Sequence, residues 1–228
     1  RLGEPLFEAG YGTADLDHDV PITPDTVFDI GSVSKQFTAG SILLLAQRGE
    51  LGLDDDVRSY FPEIPDYGET ITLRQLIHHT SGIRDYLNVM SVVGRPFEDN
   101  ITDLDIVAMA AQQRALNFPP GEQYSYSNTG YMLLGVVAKQ VAGISLGELA
   151  EREIFSPLGM DATVFYEDKR AIIPNRATGY GRDEDGRVRQ THNYDFAVAG
   201  DGQLYTTVGD LLRWNRNFEE QRVGGADF

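Results

Sequence analysis

Residues 4–30 alternate apolar and polar positions among β-formers and turn residues. Leu6, Phe7 and Tyr11 predict one strand, with a bend at Gly10 and Gly12. Residues 26–30 predict a second, shorter strand after the Pro24-Asp25 turn. From Ser32 the apolar period becomes helical: Phe37, Ile42, Leu44 and Leu45 lie on or near one face, and Gly49 ends the run. Residues 54–56 open a short helix toward Phe61, before the loop punctuated by Pro62 and Pro65. Thr72 predicts a cap for a short helix through His78-His79 that Gly82 closes. Thr102 with Asp105 and Ser145 with Glu148 spell capping boxes. The first helix is expected to run through Arg114, the second to end near Phe155 ahead of Pro157. Between them, Pro119-Pro120-Gly121 is a hard break, and a strongly apolar helix spans 128 to about 141 with Gly143 as its stop. Residues 163–206 read as short strands and Gly-containing loops, and Thr207 with Asp210 caps a last helix through Phe218. Strands, then many helices, then irregular β predict an α+β fold with a large helical section.

The 228 residues suit one large domain or two interlocked ones, enough to bury a core without metal or disulfide. The absence of Cys removes disulfides, zinc thiolates, iron–sulfur clusters and thiol nucleophiles. The longest apolar run, 130–138, falls far short of the ~20 residues a bilayer requires. A net charge of −16 opposes phosphate backbones, so no nucleic-acid partner is expected. No Walker A loop, complete dinucleotide fingerprint or H-E-x-x-H is present. His78 and His79 are adjacent, point about 100° apart on a helix and cannot share a metal. His79, near a helix end, is expected to bond backbone. No metal and no cofactor are expected.

What remains is Ser32-Val33-Ser34-Lys35. Residues three apart on a helix stack one turn above each other, so Lys35 would reach back beside the Ser32 hydroxyl. A Ser hydroxyl is a poor nucleophile until a neighbouring base takes its proton. Ten serines and three lysines in 228 positions make about 0.13 such pairs by chance, so the bare spacing also suits an ordinary N-cap with a solvated Lys. The second element is Tyr124-Ser125-Tyr126-Ser127-Asn128, just ahead of the apolar helix. A Lys–Tyr pair beside a Ser can share one proton and act as a single base. Asn128 offers an acceptor and donors for orienting Lys35 and a substrate amide. The same residues could equally be a packed aromatic and a helix cap.

Taken in order, these pieces resemble a known family. They are Tyr11-Gly12-Thr13-Ala14-Asp15-Leu16, the run from Phe28 through Ser32-Val33-Ser34-Lys35 to Thr38, His79-Thr80-Ser81-Gly82, Pro120-Gly121 with Tyr126-Ser127-Asn128, Pro157-Leu158-Gly159-Met160, and Gly200-Asp201-Gly202 with Asp210-Leu211 and Trp214. The set is similar to the serine β-lactamase / penicillin-binding-protein superfamily, in the branch of class C β-lactamases, D-alanyl-D-alanine carboxypeptidases, D-aminopeptidases and family VIII esterases. The resemblance implies a β-lactamase/transpeptidase-like fold, an all-α lobe beside an antiparallel sheet flanked by helices. It implies Ser32 as acylated nucleophile, Lys35 as activating amine, Tyr126 as proton shuttle and Asn128 as the substrate-binding residue. The Ser32 backbone N–H would be half of an oxyanion hole. The acyl donor would be a β-lactam, a D-amino-acid peptide or a small ester; a penicillin-binding sensor that acylates without turnover is the rival. A periplasmic or extracellular setting goes with the family, and a cytoplasmic one is compatible with it.

The family also carries a third element, a basic residue or His, any residue, then Gly, on a C-terminal strand at the cleft edge that gives the second oxyanion N–H. No such triplet is expected after Tyr126, its place being expected to lie beyond residue 228. The chain is therefore expected to be one catalytic domain over 1–228, incomplete at both ends and inactive alone. Residues 1–32 would supply strands of the α/β lobe, 33–200 the mainly all-α lobe and 201–228 the return.

Overall fold

A computed structural model of the chain describes residues 5–96, 101–191 and 199–228. Helices dominate, joined by small antiparallel sheets. Strands β1 (Thr13–Asp15) and β2 (Val20–Pro21) form a hairpin, and β3 (Phe28–Asp29) leads into the first helix. A 3₁₀ turn, Gly31–Ser34, runs directly into α1 (Lys35–Gln47). Helices α2 (Leu73–Ile77), α3 (Tyr86–Val93), α4 (Asp103–Ala111) and α5 (Asn128–Ala142) follow. Next come α6 (Leu146–Ala150), a π-helical turn (Glu151–Phe155) and α7 (Ser156–Leu158). Strands β4 (Val164–Phe165), β5 (Tyr180–Arg182), β6 (Val188–Gln190) and β7 (Leu204–Thr206) precede α8 (Val208–Glu220). The central sheet has the order β3-β7-β4, all antiparallel, with Phe28 opposite Thr206 and Val164 opposite Tyr205.

The core is built around α1 and α5, which pack along each other. Residues 129–135 of α5 are all buried, as is expected of a helix that is apolar on every side. Phe37, Ile42 and Leu45 of α1 are inaccessible to solvent. Phe37 stacks on Trp214 of α8 at 4.8 Å and meets Phe155 edge-on at 5.6 Å, joining α1, α8 and the π turn. Trp214 Nε1–H donates to Gln36 Oε1 at 2.6 Å, so its one polar atom is satisfied. No single helix among the described residues is long and apolar enough to cross a membrane.

Several boundaries differ from the sequence pattern. Leu6, Phe7 and Tyr11 are exposed and join no ladder; the first strand begins at Thr13. The 54–61 region folds as a 3₁₀ turn, Val57–Ser59, with Asp56 as its cap. Helix α2 stops at Ile77, because His79 takes a left-handed φ of 57°. Helix α4 ends at Ala111, short of Arg114. The helix expected to stop before Pro157 continues to Leu158: the π turn carries the chain into a new helical segment where Pro157 occupies the first turn, and there a missing N–H is harmless. Helix α3 has no counterpart among the elements predicted from the sequence. Its eight residues include Val89, Val92 and Val93, and such β-branched residues weaken a helical signal.

Candidate active site

Ser32 and Lys35 are brought together by a change of helix type. Ser32 lies in the 3₁₀ turn and Lys35 is the first residue of α1. With three residues per 3₁₀ turn, i and i+3 eclipse, and Lys35 Nζ stands 3.1 Å from Ser32 Oγ. The turn is wedged against β7: Ser34 Oγ accepts from Leu204 N, and Ile30 N donates to Leu204 O. Tyr126 comes from the loop after Pro119-Pro120-Gly121, and its hydroxyl donates to Ser32 Oγ at 2.6 Å. Asn128, the first residue of α5, offers Oδ1 to Lys35 Nζ at 2.9 Å. The four residues singled out in the sequence therefore meet at one point.

The bland alternatives do not describe this geometry. Lys35 is 6% exposed rather than solvated, whereas the Tyr126 ring is 41% exposed rather than packed away. Ser127, not Asn128, holds the N-cap position. The third acceptor on Lys35 was not foreseen: the Asp201 backbone carbonyl lies 2.5 Å from Nζ. Ser32 Oγ, Asn128 Oδ1 and Asp201 O thus use all three N–H groups of an ammonium. Nζ also lies over the Tyr126 and Tyr131 rings, at 4.9 and 5.6 Å from their centroids.

His79 supports the Tyr126 loop from below. Its ring stacks on Tyr126 at 4.5 Å and on Tyr131 at 5.1 Å. Its carbonyl accepts from Ser125 N at 2.9 Å, and its Nδ1 accepts from Ser127 N at 3.2 Å. An accepting Nδ1 places the ring proton on Nε2 of a neutral imidazole. Burial, followed by the Lys35 charge, lowers the His79 pKa, in keeping with that neutral form.

Asp85 and Tyr86 also reach the site, and the sequence reading passed over both. Asp85 caps α3 by accepting from Asn88 N, and its Oδ2 accepts from Asn128 N at 2.6 Å and Asn128 Nδ2 at 2.8 Å. The Tyr86 hydroxyl donates to Asp201 Oδ2 at 2.8 Å. Burial raises the Asp201 carboxyl against the pull of Lys35. An Asp standing just ahead of apolar positions 86, 87 and 90 is the N-cap signal that would have revealed α3, and Asp85 with it.

The Gly200 turn is set by close packing. A Cβ on Gly135 of α5 would lie 2.4 Å from Ala199 O, and one on Gly200 would lie 2.5 Å from Tyr131 O. Two facing glycines let the backbone of 199–201 lie directly on α5. Thr38 Oγ1 donates to Gly200 O at 2.7 Å from the other side.

The spelling of the expected third element does occur, as Arg222-Val223-Gly224, but it follows α8 rather than forming a strand. Gly224 O accepts from Gln47 Nε2 at the last residue of α1, twelve positions and roughly 18 Å along the helix from Lys35. This triplet therefore does not flank Ser32. A cavity of about 980 Å³ lies between β4, α6 and the start of α8, with Phe155, Phe165, Glu167 and Asp210 on its walls; none of the four site residues lines it. Among the described residues no cluster of His, Asp and Glu is arranged to hold a metal ion.

A beta-lactamase family model matches residues 1–226. The chain belongs to the beta-lactamase family. Within its relatives, a D-aminopeptidase from Gluconobacter oxydans is 33% identical over 221 residues, 96% of this chain and 41% of the relative. The octameric penicillin-binding protein homologue from Pyrococcus abyssi superposes with a TM-score of 0.81 at 31% identity, over 95% of this chain and 50% of that one. The D-amino acid amidase from Ochrobactrum anthropi does so with a TM-score of 0.78 at 27% identity, over 93% and 61%. The chain spans about half or less of the length of the curated relatives it matches first. The helical body with small antiparallel sheets is the fold of this family.

Proposed function

We propose that the protein is a serine hydrolase that works through an acyl-enzyme, with Ser32 as nucleophile. The observation that carries this reading is the position of Ser32 Oγ between Lys35 Nζ at 3.1 Å and Tyr126 Oη at 2.6 Å. As Oγ attacks the substrate carbonyl, its proton passes to the Lys35–Tyr126 pair and a C–O bond forms. The tetrahedral oxyanion turns toward the Ser32 backbone N–H. Tyr126 then hands a proton to the leaving nitrogen, the C–N bond breaks, and the amine departs. Water repeats the sequence on the ester, giving up its proton to the same pair and freeing Ser32. Asn128 holds Lys35 and the substrate amide. In the reacting form the pair shares one proton: Lys35 carries it as an ammonium aligned by three acceptors, and the Tyr126 oxygen is left to take the proton of Ser32.

The D-aminopeptidase and D-amino acid amidase among its relatives favour amides and peptides of D-amino acids as acyl donors over β-lactams and small esters. The test uses the full-length protein with D-alanine p-nitroanilide, nitrocefin and p-nitrophenyl butyrate, alongside a fluorescent penicillin read by intact mass. Turnover greatest on the D-alanine amide, with the label lost in Ser32→Ala, is the expected result. A label that persists for hours with no turnover of any substrate would favour a penicillin-binding sensor. An adduct that survives Ser32→Ala would end the assignment.

A further inference from the structure

Lys35 has two acceptors besides Ser32, and each is held by one of two adjacent residues. Asn128 Oδ1 is held through Asp85, and Asp201 O through Tyr86. We propose that Asp85-Tyr86 is a positioning clip that sets the polarity and direction of both acceptors facing the Lys35 ammonium. The proposal rests on the serine-hydrolase reading above and assigns no contact between the clip and substrate.

The need for Asp85 follows from the chemistry of Asn. The terminal torsion of an Asn side chain is broad and nearly two-fold, so a free Asn128 could turn its NH₂ as readily as its carbonyl toward Lys35. An NH₂ there would set donor against donor. The Asp85 carboxylate only accepts, and at 2.8 Å it takes the Asn128 NH₂, which leaves Oδ1 for Lys35. The same Oδ2 takes Asn128 N–H at 2.6 Å, so the backbone at the start of α5 is fixed with the side chain. Asp85 is 7% exposed, and both of its oxygens are engaged, Oδ1 by Asn88 N.

Tyr86 performs the matching task on the Gly200 turn. The residue is 2% exposed, and its hydroxyl grips the Asp201 carboxyl at 2.8 Å while the Asp201 carbonyl faces Lys35. The clip is itself pinned to α5: Tyr86 N donates to Thr129 Oγ1 at 2.8 Å, and Thr129 Oγ1 donates to Arg84 O at 2.7 Å. Residues 84–86 therefore tie α5 and the Gly200 turn to one rigid point. They do so from a stretch that follows the His79–Gly82 motif.

Asp85 has a second, purely structural task as the N-cap of α3, and the test separates the two. Ser caps a helix about as well as Asp, but its single hydroxyl cannot replace the carboxylate that grips Asn128. In the full-length protein, Asp85→Ser is expected to keep its melting temperature within a few degrees of wild type. Its kcat on the D-alanine amide should fall by about 10²-fold, the effect of misplacing a catalytic group by roughly 1 Å, with KM changed by less than about threefold. Asp85→Asn, whose amide oxygen still accepts, should recover part of that loss. Tyr86→Phe should lower kcat by about tenfold with the fold intact. Wild-type kcat in Asp85→Ser, or a fall in kcat that only tracks lost thermal stability, would overturn the clip while leaving the Ser32 assignment standing. Persistent labelling of Ser32→Ala would instead remove the hydrolase reading itself.

Discussion

Replacing Gly135 by Ala sets two physical effects against each other. In the interior of an exposed helix, Gly→Ala stabilises by roughly 1 kcal/mol, because glycine has more backbone freedom to lose. Gly135 lies near the middle of α5, so propensity alone predicts a more stable protein. Packing predicts the opposite. The new Cβ would lie 2.4 Å from Ala199 O, with Ala199 C and Gly200 Cα both at 3.3 Å. Ordinary heavy-atom contacts begin near 3.5 Å, so the 199–201 backbone must retreat by about 1 Å. Overpacking of this kind costs about 1–3 kcal/mol, which exceeds the propensity gain over most of its range. The retreat also draws Gly200 O away from Thr38 Oγ1 and Asp201 O away from Lys35 Nζ. The net cost of up to about 2 kcal/mol is expected to lower the melting temperature by up to ~8 °C, together with a kcat lowered tenfold or more. Thermal melts and steady-state kinetics on the full-length variant would measure both. A rise in melting temperature with unchanged kcat would show that the turn is not seated on α5 as described.

Two further outcomes follow from the site. Tyr126→Phe should lower kcat by ~10²–10⁴, Lys35→Ala by at least as much, and the double variant should be far less damaged than the two losses combined; independent, multiplying losses in that cycle would show that the residues do not share one proton. For His79, the folded pKa lies below the unfolded value of ~6.5, so the folded state binds fewer protons than the unfolded one between those two values. The stability from neutral His79 is therefore fully present above pH ~6.5 and is lost as pH falls through the folded pKa. His79→Asn, which tolerates the left-handed backbone, should flatten this acid-side slope of melting temperature, and an unchanged slope would assign it to other groups.

Much of the helical framework could be read from local pairs. Thr72 with Gln75, Thr102 with Asp105 and Ser145 with Glu148 all form reciprocal capping boxes, and Thr207 accepts from Asp210 N, because a cap involves residues only three apart. The Ser32–Lys35 contact was legible for the same reason. Strands were less so: the apolar residues Leu6, Phe7 and Tyr11 suit a strand, but local composition carries no information about whether a partner strand lies alongside. Asp85 and Tyr86 escaped notice because their tasks are contacts with Asn128 and Asp201, 43 and 115 positions away. Nothing in the immediate sequence distinguishes such a residue from any other cap or core aromatic. The early halt of α2 likewise depends on His79 turning left-handed to reach the Tyr126 loop, a non-local cause.

The three acceptors on Lys35 also make the site a late event in the life of the chain. One is a near neighbour, but the others are separated from Lys35 by 93 and 166 positions. Contacts of such sequence separation form slowly, since the intervening chain must be ordered before they are rewarded. Until α5 and the Gly200 turn are both in place, the lysine lacks the acceptors that align it, and Ser32 remains an ordinary alcohol. If Ser32 is the nucleophile proposed above, a half-folded chain would be kept from attacking carbonyl compounds around it, and covalent capture at Ser32 would time the completion of the domain.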